Sequence, residues 1–176
     1  MAAARVVDLL DHLAARGIQA WLDGGWCIDA LLETQTRTHD DLDLVCLLSD
    51  ADKIESALGE FGYICAGGGA PLSFELVDPE GHQVDTHPVS LTPSGDGLYR
   101  MANGEDWIYP AQGFTGVGQI NGRKVPCIST EVMLFCHTTG YALDLDHQHD
   151  VVALSERFGI PLPEFRRAET QVAADA

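Results

Sequence analysis

The run DLDLVCLL at residues 41–48 constrains the fold of this chain more than any other segment. Asp41 and Asp43 alternate with leucines, and an unbroken apolar run follows them. This pattern predicts a β-strand that enters a hydrophobic core. Because strand side chains alternate between faces, Asp41 and Asp43 should project to the same side, about 6.5–7 Å apart along the strand. Like charges on one face repel each other, so the pair needs an explanation.

The rest of the chain carries helical and strand patterns in alternation. Apolar periodicity predicts helices over residues 3–16, 26–34, 50–58, 130–141 and 146–159. Polar–apolar alternation predicts strands over 18–25, 41–48, 61–66, 72–78 and 82–89, and a hairpin over 117–128 around Asn121-Gly122. Ser49 or Asp50 is expected to cap the third helix, and Ser129 the fourth. Residues 90–116 have few strong signals and are predicted to be mostly loop.

These elements together predict an α/β fold of the α+β kind, with a mixed, mostly antiparallel sheet and helices near the C-terminus. At 176 residues the chain has the size of a single domain. We expect a core over about residues 15–128, a helical C-terminal part over about 129–165 and a frayed tail over 166–176.

The formal net charge of −17 indicates which partners suit the surface. So acidic a surface repels phosphate backbones and anionic lipid, which argues against nucleic acid and membranes. It attracts cations, either a metal ion or an amine-bearing small molecule, although acidity that serves only solubility is the alternative. The cysteines are five in number and form no C-x-x-C pair, which indicates a reducing compartment. Without a secretory pattern or a membrane-length apolar run, the predicted location is the cytoplasm.

Two further motifs give the acidic pair a chemical context. WLDGGW at 21–26 places Gly24 and Gly25 between a strand and a helix, where backbone N–H groups can approach a phosphate chain. VDTHP at 84–88 places Asp85 in a second alternating strand. Three carboxylates carried on strands suit Mg²⁺, which prefers carboxylate, water and phosphate oxygens. Each motif alone would be read as a turn or as a solvated strand end.

The combination of WLDGGWCID, DLDLV and QVDTHP resembles the nucleotidyltransferase superfamily of the DNA polymerase β type. Over about residues 15–155 the motifs are most similar to those of the lincosamide nucleotidyltransferases, and more distantly to those of the gentamicin-type aminoglycoside enzymes. The resemblance implies a polymerase β-type fold, a mixed twisted sheet flanked by helices. It also implies Mg²⁺-dependent transfer of a nucleoside monophosphate from an NTP, with ATP expected, to a hydroxyl of a small cationic antibiotic. Pyrophosphate would be released, and a homodimer is compatible with such relatives.

The resemblance also suggests roles for particular residues. The catalytic residues, which would hold two Mg²⁺ ions, are Asp41, Asp43 and Asp85. The NTP would be bound by Gly24, Gly25, Arg37 and His39, and also by Lys124, one of the few basic residues. The antibiotic would contact Glu75, which is also an alternative base to Asp85, and His87, which should share a face with Asp85.

The segment DLDHQHD at 144–150 repeats the D-x-D pattern and adds two histidines. On a helix His147 and His149 point in different directions, so a transition-metal site is disfavoured. We expect Asp144 and Asp146 to lie at the start of that helix, where acids suit its dipole. His149 and Asp150 stay candidates for contact with the nucleotide or with a dimer partner.

Two other functions stay open from the sequence. One is a nucleotidyltransferase-fold antitoxin or partner-binding module that binds or modifies a protein. The other is a degenerate fold that binds nucleotide without turnover. The helices after residue 129 argue against the first, and the intact carboxylates argue against the second.

Overall fold

The structure is a computed structural model of the chain. It describes residues 1–139 and 145–161, and of residues 145–147 the backbone alone. In these ranges the α-helices are α1 Ala3–Ala15, α2 Gly24–Leu32, α3 Ala51–Gly59, α4 Thr130–Thr139 and α5 Leu145–Phe158. Short 3₁₀ helices span Leu48–Asp50 and Ala111–Thr115. None of the described helices has both the length and the apolar character that a membrane crossing requires.

One mixed sheet contains all the strands of the described residues. The strands are β1 Ala20–Leu22, β2 Asp41–Leu47, β3 Ile64–Gly68, β4 Phe74–Val77, β5 Gln83–Leu91, β6 Gly97–Arg100, β7 Asp106–Tyr109, β8 Gly116–Ile120 and β9 Arg123–Cys127. The main order is β3-β4-β5-β2-β1-β9-β8, and β6 and β7 extend from β5. The pairs β2–β5 and β1–β9 are parallel and the other pairs are antiparallel. The predicted mixed sheet flanked by helices is therefore confirmed.

The core explains why β2 can carry two carboxylates. Leu42 and Leu44 point to one face of the sheet and are completely buried, while Asp41 and Asp43 point to the other face and are partly exposed. Helix α1 packs against α3 and β1, and it buries apolar residues at helical spacing: Val6, Leu9, Leu10 and Leu13. Helices α2, α4 and α5 contact one another. The buried leucines of β2 thus hold its acidic face in position.

The region 90–116 differs from its prediction. It contains the hairpin β6–β7, which continues the sheet from the C-terminal end of β5. Each strand has four residues and only one of them is buried, so neither carries the alternating apolar signal that identifies a strand. The predicted strands over 72–78 and 82–89 pair as the antiparallel hairpin β4–β5, and the hairpin predicted over 117–128 is confirmed as β8–β9.

The ends of several elements also differ from their predictions. Helix α2 begins at Gly24, so the two glycines form its first turn rather than a turn before it. The side chain of Asp50 makes no capping hydrogen bond and accepts one from Lys53 instead. The hydroxyl of Ser129 is buried without a hydrogen-bond partner, so it does not cap α4. Asp146 lies in the first turn of α5, as predicted, whereas the position of Asp144, the direction of the His147 side chain and the frayed tail lie outside what the structure describes.

Candidate active site

Carboxylates line up across four neighbouring strands of the sheet. Asp43 on β2 is the register partner of Asp85 on β5, and Asp85 is the partner of Glu75 on β4. On the other side, Asp23 follows β1, and its backbone N–H donates to the Asp43 carbonyl at 3.0 Å. Asp41 lies two residues before Asp43 on the same face. The sheet thus brings five acidic residues together on neighbouring strands.

Three of these acids are close enough to share a metal ion. Oxygen atoms of Asp41, Asp43 and Asp85, the cavity cluster, lie within 4.8 Å of one another. Burial and the charges of the other two members raise the pKa of Asp41. Burial also raises the pKa of Asp85 with help from Asp43 and Glu75, although a hydrogen bond from Gln83 Nε2 acts against this. A divalent cation among these oxygens would relieve the repulsion, so the residues present fit Mg²⁺.

Gly24 allows the cavity cluster to approach the start of α2. A Cβ at Gly24 would lie 2.0 Å from Asp43 Oδ2, and the residue has a φ of 57°, in the left-handed region. Asp23 caps the helix by accepting from the Gly24 N–H, and its other oxygen accepts from the Tyr109 hydroxyl at 2.8 Å. The positive end of α2 therefore lies next to a metal-binding carboxylate, as a site for a metal-bound polyphosphate requires.

Two basic side chains lie over the second glycine. A Cβ at Gly25 would lie 2.3 Å from His39 Nδ1 and 2.8 Å from Arg37 Nη2. Arg37 donates to Asp150 Oδ2 at 3.1 Å. His39 is buried, and its Nε2 hydrogen-bonds to Asp29. Both residues predicted to bind nucleotide thus adjoin the α2 N-terminus, but only Arg37 lines the cavity.

His87 lies on β5 two residues after Asp85, on the same face of the sheet. Its Nε2 is 3.6 Å from Asp43 Oδ1, and its ring packs against the edge of Tyr99. Burial lowers the pKa of His87, but the nearby Asp43 carboxylate and the charges of Asp23 and Asp85 outweigh it and raise that pKa overall. His87 can therefore supply positive charge next to Asp43.

The acids open onto a cavity of about 710 Å³. This volume is within the range that holds drug-sized ligands. One wall is the α2 turn with Arg37 and Asp150, and another includes Glu75 and the glycines 67–68. Trp107 also lines the cavity, and its ring stacks on Phe135 of α4 with 5.8 Å between centroids. The cavity therefore has the size of a small-molecule site, with the acids, the α2 turn and an aromatic side chain in its walls.

Lys124 does not join the other predicted site residues. It is exposed on β9 and lines a separate groove against α1, because the β8–β9 hairpin runs along that helix. Its predicted contact with nucleotide is therefore not supported by the geometry. Its neighbour Arg123 pairs with Asp11 of α1.

Sequence reasoning missed several residues of the site. Gln83 could have been found, because it lies two residues before Asp85 and so shares its strand face. Asp23 also had a signal, as an acid directly before the glycine pair. Trp107, Tyr109 and His137 reach the cavity from later segments that gave no indication of it.

The site thus combines a glycine pair that opens a helix with three acids on two parallel strands of a mixed sheet. Over residues 5–154 the chain matches the family described as aminoglycoside-2''-adenylyltransferase. The chain therefore belongs to this family, which places it among the antibiotic nucleotidyltransferases.

Individual relatives agree with this assignment. A lincosamide resistance protein from Staphylococcus haemolyticus is 32% identical over 143 residues, 81% of this chain and 86% of that protein. A 2''-aminoglycoside nucleotidyltransferase from Escherichia coli is 29% identical over 130 residues, 68% of this chain and 63% of that protein. This chain thus spans less than two thirds of the aminoglycoside relative.

Solved structures show the same fold. A crystal structure of a lincosamide antibiotic adenylyltransferase with lincomycin bound has a TM-score of 0.76 and 28% identity. The similarity covers 88% of this chain and 97% of that one. The ANT(2'')-Ia structure in complex with adenylyl-2''-tobramycin has a TM-score of 0.70 at 21% identity and covers 88% of both chains. At that identity the second comparison supports the fold alone.

Proposed function

We propose that this protein transfers a nucleoside monophosphate from ATP to a hydroxyl group of a small cationic antibiotic, with Mg²⁺ as cofactor and pyrophosphate as the second product. The observation that carries the proposal is the cavity cluster, placed directly against the N-terminus of α2. Nucleotidyl transfer needs both features. A metal site neutralises the negative charge of the triphosphate, and a helix N-terminus binds its phosphates.

Asp41, Asp43 and Asp85 would hold the Mg²⁺ ions. When bound, Mg²⁺ neutralises phosphate charge and lowers the pKa of an acceptor hydroxyl. The raised pKa values of Asp41 and Asp85 support this assignment, because burial and neighbouring carboxylates destabilise the charged acids and a bound cation would offset both effects. Two ions are proposed because the transfer involves both an attacking and a leaving oxygen.

The protein residues bind and orient the two substrates around this cluster. The backbone N–H of Gly25 and the guanidinium of Arg37 would face the triphosphate, while Gly24, whose own N–H donates to Asp23, leaves room for the cavity cluster at the helix end. The acceptor oxygen forms a bond to the α-phosphorus while the bond to pyrophosphate breaks, so the reaction is a displacement. The acceptor proton passes to Asp85, which Gln83 orients, with Glu75 as the alternative base.

The acceptor is proposed to bind on the Glu75 side of the cavity, away from the α2 turn. Glu75 extends the acidic row toward β4, and an antibiotic amine would pair with it there. We place lincosamides first among the acceptors and aminoglycosides second. The lincosamide relatives match this chain over most of their own lengths, whereas the aminoglycoside relative matches over 63% of its length. A cavity of this size favours such a small acceptor over a protein segment.

The test is incubation of the protein with MgCl₂, ATP or GTP, and separate samples of lincomycin, clindamycin, gentamicin and tobramycin. Mass spectrometry should show one antibiotic heavier by one nucleoside monophosphate, with an equal amount of pyrophosphate formed. Asp41→Asn and Asp85→Asn should abolish the product, and Glu156→Gln, an exposed change on α5, should retain it. Wild-type protein that labels no antibiotic with either nucleotide would refute the proposal for these substrates.

A further inference from the structure

Two buried carboxylates stand behind the two basic side chains at Gly25. Asp29 is 2% exposed and hydrogen-bonds to His39, and the Asp150 side chain is 1% exposed and pairs with Arg37. The two acids come from different parts of the fold. Asp29 lies on α2 itself and also accepts from the backbone and hydroxyl of Thr36, so it organises the local loop. Asp150 reaches the site from α5, 113 residues after Arg37.

The guanidinium of Arg37 is held from two sides. Nη2 donates to Asp150 Oδ2 at 3.1 Å, and Nη1 donates to the Thr38 carbonyl at 3.3 Å. This places Nη2 at 2.8 Å from the point where a Gly25 Cβ would lie, directly over the first turn of α2. A guanidinium carries five N–H donors in a rigid plane, so one such group can contact a carboxylate and a phosphate at the same time.

Without Asp150, Arg37 would have other acids to pair with. It lines the same cavity as Asp41, Asp43 and Asp85, and these carboxylates attract its guanidinium. Such a contact would put a protein cation into the metal site and take Arg37 away from the phosphates. The buried carboxylate of Asp150, which lines the same cavity, competes with these acids for the guanidinium.

We propose that Asp150 is a positioning residue for nucleotide binding, which holds Arg37 over the N-terminus of α2 and away from the cavity cluster. This inference rests on the proposed function, because it assumes that an NTP binds at that turn. It also gives α5 a part in the nucleotide site. A purely structural role, in which the ion pair only fastens α5 to the core, is the competing explanation.

The test compares Asp150→Asn with Glu156→Gln, an exposed and isosteric change on the same helix. Calorimetry with a non-hydrolysable ATP analogue and MgCl₂ should give a Kd about tenfold weaker for Asp150→Asn and unchanged for Glu156→Gln. Steady-state kinetics should show the same increase in KM for ATP, with KM for the antibiotic within about twofold of wild type. Asp150→Asn in an Arg37→Ala background should cause no further loss, because the two residues act as one unit.

Three outcomes would overturn the inference. Nucleotide affinity could be unchanged in Asp150→Asn, affinity for both substrates could fall equally, or the effects of Arg37→Ala and Asp150→Asn could add. If Asp150→Asn does not fold, Asp150→Glu is the second variant, because it keeps the charge but moves it by one methylene. It should still raise the Kd of the ATP analogue about threefold or more. Wild-type protein that fails to bind the analogue would instead refute the proposed function, so the two failures can be told apart.

Discussion

Within residues 1–139 and 145–161, two clusters of acidic and histidine side chains have similar geometry and different chemistry. One is the cavity cluster, and the other is the turn cluster of Asp78, Glu80 and His82 between β4 and β5; in each, the candidate ligand atoms lie within 4.8 Å of one another. The turn cluster has a resident cation, because Arg5 Nη2 pairs with Asp78 Oδ2 at 2.5 Å and His82 Nδ1 is 2.8 Å from the same oxygen. In the turn cluster, Arg5 therefore already supplies the positive charge that a metal ion would otherwise bring.

The pKa values of the two clusters shift in opposite directions. Burial would raise the pKa of Asp78, but hydrogen bonds from the His82 ring and from the backbone of His82 and Glu80 lower it overall. The pKa values of Asp41 and Asp85 are raised by burial and by neighbouring carboxylates. The distances between candidate ligand atoms would identify both clusters as metal sites. The direction of the pKa shifts identifies only the cavity cluster, because its carboxylates are not yet neutralised by a cation.

The largest expected effect comes from changing the cavity cluster at Asp43. Asp43→Asn keeps the shape of the side chain but removes the charge that contacts both the proposed metal and the α2 turn. Loss of one such ligand should reduce kcat/KM for antibiotic modification by at least about 100-fold. Asp78→Asn is the matched change in the turn cluster and should leave kcat/KM within about twofold. Similar activity losses in both variants would show that the distinction between the clusters is wrong.

A smaller effect, on stability rather than on activity, is expected for the turn cluster. Asp78 accepts four hydrogen bonds, and its side chain is 1% exposed. Asp78→Asn should therefore lower the free energy of unfolding by about 1–3 kcal/mol, measured by urea denaturation. Glu80→Gln, an exposed change in the same turn, should cost less than about 0.5 kcal/mol. Equal costs for the two variants would contradict a specific role for Asp78.

The sequence was sufficient to predict the part of the site that lies within strands. Asp41, Asp43 and Asp85 could be placed on one face because strand periodicity is two, and neighbouring leucines fixed which face is buried. The register that sets Asp43 beside Asp85, and Glu75 beside Asp85, belongs to strand pairing and could not be predicted from either strand alone.

Residues that reach the site over long separations were harder to predict. Asp150 contacts Arg37 only because α5 packs on α2, a tertiary contact that no local pattern encodes. The hairpin that carries Trp107 was missed because its strands are short and mostly exposed. Lys124 was included because cations are scarce in the chain, and the structure shows that scarcity does not imply proximity.

The smallest predicted effect is on the free energy of unfolding measured without metal. Its dependence on pH should have opposite signs for the two clusters. The pKa of Asp85 in the folded state is above its usual 3.8. Its favourable contribution to the free energy of unfolding is therefore full below about pH 3.8, and it is lost as the pH rises through the raised pKa. Asp78 behaves in the opposite way: its contribution is present above pH 3.8 and is lost as the pH falls through its lowered pKa.

In EDTA at pH 7, Asp85→Asn should therefore be slightly more stable than wild type, by no more than about 1 kcal/mol because Asp85 is partly exposed. The advantage should shrink as the pH falls toward 4, where wild-type Asp85 becomes protonated. Saturating MgCl₂ should reverse the order, since the metal binds the folded wild-type site and stabilises it by mass action. Thermal unfolding over pH 4–7, with and without Mg²⁺, measures all three effects. If Asp85→Asn were destabilised in EDTA as Asp78→Asn is, Asp85 would have a structural partner, and the cavity cluster would not depend on an added cation.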